Sequence, residues 1–193
     1  IGVYSFNGNK LLSTSGGGMV VTNNEDYADY MKFLSTQAKD KKPFYHHTEI
    51  GYNYRMSNVL AAIGVAQMEV IEERIKRTRE INEMYRKEVG NLFYSFQEER
   101  EIDRSNMWLT CALMKGKHKP EDLIDHLAKD SIEARRLWKP MHEQPVMQGY
   151  KKYINGNSSL LFLQGICLPS GSDLTKADMK RIIKSIKAFF KYD

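Results

Sequence analysis

The sequence predicts a mixed α/β chain that ends in a small α+β domain, and three observations predict it. Two short runs of β-formers, Val3 to Phe6 and Met19 to Thr22, flank the triplet Gly16-Gly17-Gly18. Apolar residues then return at three- and four-residue intervals from Val59 to Val89. Beyond Gly90 the texture becomes strand, helix, strand, strand, helix within about ninety residues, the pattern of a compact α+β unit.

Each element has a local cause. The glycine triplet separates the two strands by a turn, since glycine accepts positive φ. It is not a phosphate loop: no Gly-Lys-Ser or Gly-Lys-Thr follows, and the next segment is a strand instead of a helix. Asn23-Asn24-Glu25-Asp26 reads as a capped, acidic helix start ahead of Tyr27, Tyr30, Met31 and Leu34. The charged, proline-bearing stretch from Gln37 to His47 reads as an exposed loop. Ser57 or Asn58 caps the long repeat, whose first half is almost wholly apolar or small and is expected to be buried on several sides. Its second half, Glu72 to Glu88, is charged and solvated, and Gly90 closes it. This predicts one long helix linking two packed cores, with residues 1–90 in one domain and 91–193 in the other. In the second domain, Asn106 to Met114 reads as a strand and Lys119-Pro120-Glu121-Asp122 opens a helix. Ile132 to Arg136 reads as a short strand, Ile166 to Leu168 as the last strand, and Asp173-Leu174-Thr175 leads into an amphipathic helix.

Composition narrows the function classes. No apolar run approaches the roughly 20 residues of a membrane span, and the N-terminus carries no signal pattern, so a cytoplasmic protein is expected. Ile1-Gly2-Val3-Tyr4 already looks like the inside of a strand, so the sequence is expected to begin within a longer protein. The net charge of +5 is scattered among acidic residues, without the basic-aromatic motif of a nucleic-acid binder. Cys111 and Cys167 sit in apolar contexts with no C-x-x-C spacing, which suits two thiols in a reducing compartment; a disulfide between them stays open without geometry. His46-His47 lacks the spacing of a metal site, so no metal is expected.

Three stretches carry chemistry-bearing residues. Lys10 follows the first strand at a tight turn, where partial loss of ammonium solvation makes an amine available for a Schiff base; a solvated turn lysine is the plain alternative. Gly51-Tyr52-Asn53-Tyr54-Arg55-Met56 stands just ahead of a helix N-terminus, a place suited to an anion, or is simply a capping loop with packed aromatics. The stretch from Arg135 to Pro145, with Arg136, Trp138, Lys139 and His142, offers cationic and aromatic groups to a nucleotide, or is a surface loop with a packed tryptophan.

Together these motifs resemble the pyridoxal-phosphate-dependent sugar-nucleotide aminotransferases of the DegT/StrS type. The resemblance rests on Ser5-Phe6-Asn7-Gly8-Asn9-Lys10 with Ser15-Gly16-Gly17-Gly18, on Gly51 to Met56 leading into Ala61-Ala62-Ile63-Gly64, on Leu137 to His142 with Gln144-Pro145, and on Cys167-Leu168-Pro169-Ser170-Gly171. It covers essentially the whole chain, in order. It implies the C-terminal half of a fold type I transferase: the end of the large domain, a linking helix and a small α+β domain. It implies that Lys10 bonds pyridoxal 5'-phosphate, that Ser5 and Asn53 contact the cofactor phosphate, the latter across a homodimer interface, and that Arg55, Arg136, Trp138 and His142 meet the nucleotide-sugar. A histidine replaces the lysine in the dehydratase branch, and Lys10 argues against that branch.

The implied reaction moves an amino group from glutamate to a keto-sugar nucleotide. The Trp-Lys-Pro-Met-His loop is most similar to members acting on UDP-linked 4-keto-6-deoxy-N-acetylhexosamines, for cell-surface sugars. The family's chain is roughly double this one, and the part ahead of the lysine strand supplies an acidic partner for the pyridine nitrogen and a ring-stacking aromatic. This sequence offers no substitute for either, so a fragment, inactive alone, is expected. The alternatives are a non-catalytic nucleotide-sugar or partner-binding remnant of the scaffold and a basic nucleic-acid-binding domain.

Overall fold

Gly2–Ser5 (β1) and Gly18–Val21 (β2) pair antiparallel, with Gly2 opposite Val21 and Ser5 opposite Gly18. Gly18 is required there, because a Cβ would lie 2.4 Å from the Tyr4 carbonyl oxygen. The structure, a computed structural model, describes residues 1–191; Tyr192 and Asp193, within the second expected domain, lie outside the described residues. The chain forms two compact units, one ending at Glu72 and the next beginning at Glu73.

The first unit continues with Glu25–Ser35 (α1), whose N-cap is the expected asparagine: Asn24 Oδ1 accepts the Tyr27 amide at 2.9 Å. Asn58–Glu69 (α2) starts at Ser57, whose hydroxyl accepts the Leu60 amide at 3.4 Å. The single long helix expected from Val59 to Val89 is two helices, α2 and Ile71–Val89 (α3). Backbone geometry leaves the helical region at Val70, with φ −115° and ψ 9°. Neither glycine nor proline stands there; Val70-Ile71 is the one adjacent pair of β-branched residues between Val59 and Val89, stiff at χ1 and slightly unfavourable to helix. The expected burial of the repeat's first half is also corrected. No residue of α2 is buried, and Val59 and Val65 remain 71% and 65% exposed, because within this unit α2 is covered mainly where Gly64 meets Thr14.

The second unit begins within α3, earlier than the boundary expected at Gly90. Its helix supplies Ile81, Tyr85 and Val89, all fully buried, to that unit's core. Four strands follow: Ser95–Phe96 (β3), Thr110–Leu113 (β4), Arg135–Arg136 (β5) and Gly165–Leu168 (β6). They form one antiparallel sheet in the order β3-β4-β6-β5. Pro120–Lys129 (α4), Asn157–Gln164 (α5) and Lys176–Phe189 (α6) complete the unit. Pro120 opens α4 at a position where its missing N–H costs nothing. A reciprocal pair caps α6: Thr175 Oγ1 accepts the Asp178 amide at 3.1 Å and the Asp178 carboxylate accepts the Thr175 amide at 3.0 Å.

The core lies on one sheet face, where Ala112, Ile166 and Leu168 meet Leu123 and Leu127 of α4 and Met179, Ile182 and Ile186 of α6. The polar groups that enter it are paired. Tyr85 donates to the Pro169 carbonyl at 2.8 Å, and burial pushes its phenol pKa up. Ser170 Oγ accepts the Thr110 amide at 2.8 Å and donates to the Leu168 carbonyl. The expected strand from Asn106 to Met114 is shortened, since Met107 has φ +47°, outside the extended region.

Candidate active site

The loop between β1 and β2 is fixed by its own backbone. Phe6 donates to Gly17, Thr14 donates to Phe6 and Lys10 donates to Asn7, at 2.9 to 3.0 Å. Thr14 is fully buried and its hydroxyl donates to the Gly16 carbonyl. Lys10 is thereby carried on a bonded turn, partly covered, while Ser5 at the end of β1 is exposed and its Oγ lies 3.5 Å from the Asn7 amide.

The second motif is held against the end of α1. The Tyr52 amide donates to Leu34, the Tyr54 amide to Ser35 and the Gln37 amide to Tyr52, and Asn53 forms an antiparallel bridge with Thr36. A Cβ on Gly51 would stand 2.2 Å from the Ala38 nitrogen, so only glycine permits this approach. The facing residues Gln37 and Ala38 take φ values of +71° and +47°. Tyr52 and Tyr54 stack, with ring centroids 4.9 Å apart. Side chains alternate along an extended segment, which puts Asn53 and Arg55 on the opposite side, and both are exposed.

These two motifs meet. The Met56 side chain packs so close over Gly17, which has φ +87°, that a Cβ on Gly17 would lie 2.8 Å from Met56 Cε. One helical stretch later, Gly64 of α2 abuts the Thr14 methyl, at 3.0 Å from an ideal Cβ. The lysine loop and the Gly51–Met56 segment therefore form one cluster within the first unit. A primary amine, an exposed hydroxyl and an exposed amide on hydrogen-bonded backbone are suitable groups for a carbonyl-bearing phosphate such as pyridoxal phosphate.

In the second unit, Arg136, Trp138 and His142 follow β5. The Arg136 guanidinium is held by Glu121, by the Phe162 carbonyl at 2.6 Å and over the Phe162 ring at 4.2 Å, and its Nε is buried without a hydrogen-bond partner. Trp138 is 66% exposed and lies 6.4 Å from Trp108, a neighbour that the sequence showed only as a strand residue. His142 Nε2 is 3.3 Å from Ser159 Oγ and 3.7 Å from Glu143.

The histidine pair divides as adjacent side chains do: His46 meets Asp40 at 2.6 Å, and His47 meets the Gln37 carbonyl at 2.9 Å. The bond from His46 lowers the Asp40 carboxyl pKa, despite the opposing effect of burial. Among the described residues there is no cluster of three metal-ligating side chains and no helix long and apolar enough to cross a membrane.

Comparison with known proteins gives concordant results. The chain is 42% identical over 194 residues to EpsN of Bacillus subtilis, which is named as a candidate pyridoxal phosphate-dependent aminotransferase; the match covers 98% of this chain and 50% of that one. It is 36% identical over 191 residues to GDP-perosamine synthase of Escherichia coli O157:H7, covering 98% and 52%. The chain thus spans about half the length of the curated relatives it matches. The crystal structure of the aminotransferase TlmJ from Streptoalloteichus hindustanus superposes with a TM-score of 0.88 at 21% identity, covering 99% of this chain and 52% of that one, a likeness of fold. The fold is accordingly that of the C-terminal half of a fold type I transferase. With residues 1–187 matching its profile, this chain belongs to the DegT/DnrJ/EryC1/StrS aminotransferase family.

Proposed function

We propose that this chain carries the lysine half of a pyridoxal-phosphate-dependent sugar-nucleotide aminotransferase, with Lys10 as the residue that bonds the cofactor. The observation that supports this most is the packing of Met56 on Gly17 and of Gly64 on Thr14, which gathers the lysine loop and the Asn53 segment into one cluster. Ser5 and Asn53 are the groups to hold the phosphate by hydrogen bonds, Asn53 being exposed and available to a second copy in a homodimer. Bound there, pyridoxal phosphate supplies an electron sink for loss of a proton from an amino donor, taken to be glutamate. The Lys10 amine, when not bonded to the cofactor, would move that proton between the donor's α-carbon and the cofactor's C4′, and would make the reverse transfer for the acceptor.

Arg55, Trp138 and His142 are assigned to the nucleotide-sugar, Trp138 offering its exposed face to a base. Arg136, already engaged by Glu121 and Phe162, anchors the start of the loop that carries Trp138 and His142. The acceptor is a 4-keto-6-deoxy sugar on UDP. The likeness to GDP-perosamine synthase favours a second reading, the guanosine counterpart. Such chemistry on soluble nucleotide-sugars fits a cytoplasmic enzyme.

Borohydride reduction after addition of pyridoxal phosphate, followed by peptide mapping, tests the lysine. The expected result is a phosphopyridoxyl group on the Lys10 peptide, absent in Lys10→Ala. Labelling spread evenly over the lysines, or unchanged in the variant, refutes the assignment.

A further inference from the structure

Cys111 on β4 and Cys167 on β6 are directly opposed in the antiparallel register, and Arg135 on β5 is opposed to Cys167 in turn. The two sulfurs are 3.7 Å apart. The three residues thus form a row across three adjacent strands, on the sheet face turned away from Ala112, Ile166 and Leu168. Cys111 is half-buried and Cys167 is 8% exposed. Neither residue belongs to the cluster around Lys10.

We infer that Cys111 and Cys167 form a dithiol site that reacts with low-molecular-weight disulfides and closes reversibly into a cross-strand disulfide. Directly opposed residues of an antiparallel pair have Cα atoms about 4.5 to 5.5 Å apart. That spacing lies inside the roughly 4.4 to 6.8 Å that a disulfide spans. Rotation of the two thiols about their Cα–Cβ bonds brings the sulfurs together without moving either strand. The residues are fifty-six positions apart in the chain, so only the folded sheet creates the site.

Electrostatics distinguish the two sulfurs. The hydrogen bond shared by the two sulfurs, with the charge of Arg135, lowers the Cys167 pKa against the effect of burial. The same hydrogen bond, with burial, pushes the Cys111 thiol up. Cys167 is therefore the sulfur that carries negative charge first. Its thiolate attacks one sulfur of the external disulfide, and the other sulfur leaves as a thiolate. Cys111 then loses its proton to a leaving thiolate and attacks the Cys167 sulfur, expelling the second thiol. The external disulfide is reduced to two thiols, and the protein dithiol is oxidised by the same two electrons.

The test treats the folded chain with 2-hydroxyethyl disulfide, quenches with acid, digests without reductant and maps the cysteine peptides. The expected product is a Cys111–Cys167 linked peptide that dithiothreitol separates. In Cys111→Ser the reaction should stop at a mixed disulfide on Cys167, accumulating at least about tenfold above its level in the unsubstituted chain, where the second thiol removes it. Both peptides recovered as free thiols, or as separate mixed disulfides in the unsubstituted chain, overturns the inference. That measurement is decisive by itself, whether or not the variant folds, and it is unaffected by what Lys10 binds.

Discussion

Replacing Gly51 with alanine should release the segment that bears Asn53. The added Cβ would lie 2.2 Å from the Ala38 nitrogen and 2.4 Å from the Gln37 carbonyl carbon. Both are backbone atoms, so no rotamer change relieves the clash, and the segment must move back by about an ångström. Three backbone bonds, Gln37 to Tyr52, Tyr52 to Leu34 and Tyr54 to Ser35, now span 2.8 to 3.0 Å and would be stretched past useful length. At about 0.5 to 1.5 kcal/mol net for each, the three together contribute roughly 2 to 4 kcal/mol of local stability. Since about 1.4 kcal/mol is a factor of ten, amide hydrogen exchange at Gln37, Tyr52 and Tyr54 should quicken by roughly thirtyfold or more. Amides of β4 and β6 should be unaffected. Gly8→Ala is the control, because nothing lies within 4 Å of a Cβ at that position. Unchanged protection of the three amides in Gly51→Ala would refute the claim that close backbone approach positions Asn53.

Two further predictions concern the second unit. Tyr85→Phe removes the hydroxyl that donates to the partly buried Pro169 carbonyl, and should cost about 1 kcal/mol in urea unfolding of the chain. The Glu99 carboxyl is held at about 2, below its ordinary 4.5, chiefly by the hydrogen bond from Arg79 and then by the Ser105 amide. A depressed carboxyl pKa stabilises the fold above the ordinary value, and the contribution is lost as pH falls from there towards 2. Urea midpoints followed across that range should fall for the unsubstituted chain and fall less steeply for Glu99→Gln; parallel curves would remove the Arg79–Glu99 pair from the explanation.

Elements with local causes were legible in the sequence. Asn24, Ser57 and Pro120 each act within one turn of their own helix, so residue type and spacing sufficed. Elements defined by distant partners were not. β3 is two residues long and exists only because Ser95 and Phe96 face Leu113 and Ala112. α5 was not foreseen: Leu160-Leu161-Phe162-Leu163 shows no helical period, and Gly156, at φ +84°, caps it without a side-chain bond. The break at Val70 has no proline or glycine to announce it. The same contrast holds at the site. The Lys10 and Gly51–Met56 motifs are contiguous and readable, whereas their contact through Gly17 and Gly64 appears only in the fold. Arg136 read as a free cation because Glu121 and Phe162, which hold it, lie fifteen residues before and twenty-six after it.

The placement of β6 between β4 and β5 constrains how the second unit assembles. Its inner ladder joins Thr110–Leu113 to Gly165–Leu168, leaving two whole helices, α4 and α5, and the irregular segment around β5 to be looped out before the first rung can form. Closing so large a loop is entropically expensive at the outset and is repaid only once the ladder and its packing are complete. A ribosome must therefore release the β6 segment before this sheet can acquire its middle, and until then β4 and β5 have no strand to join them.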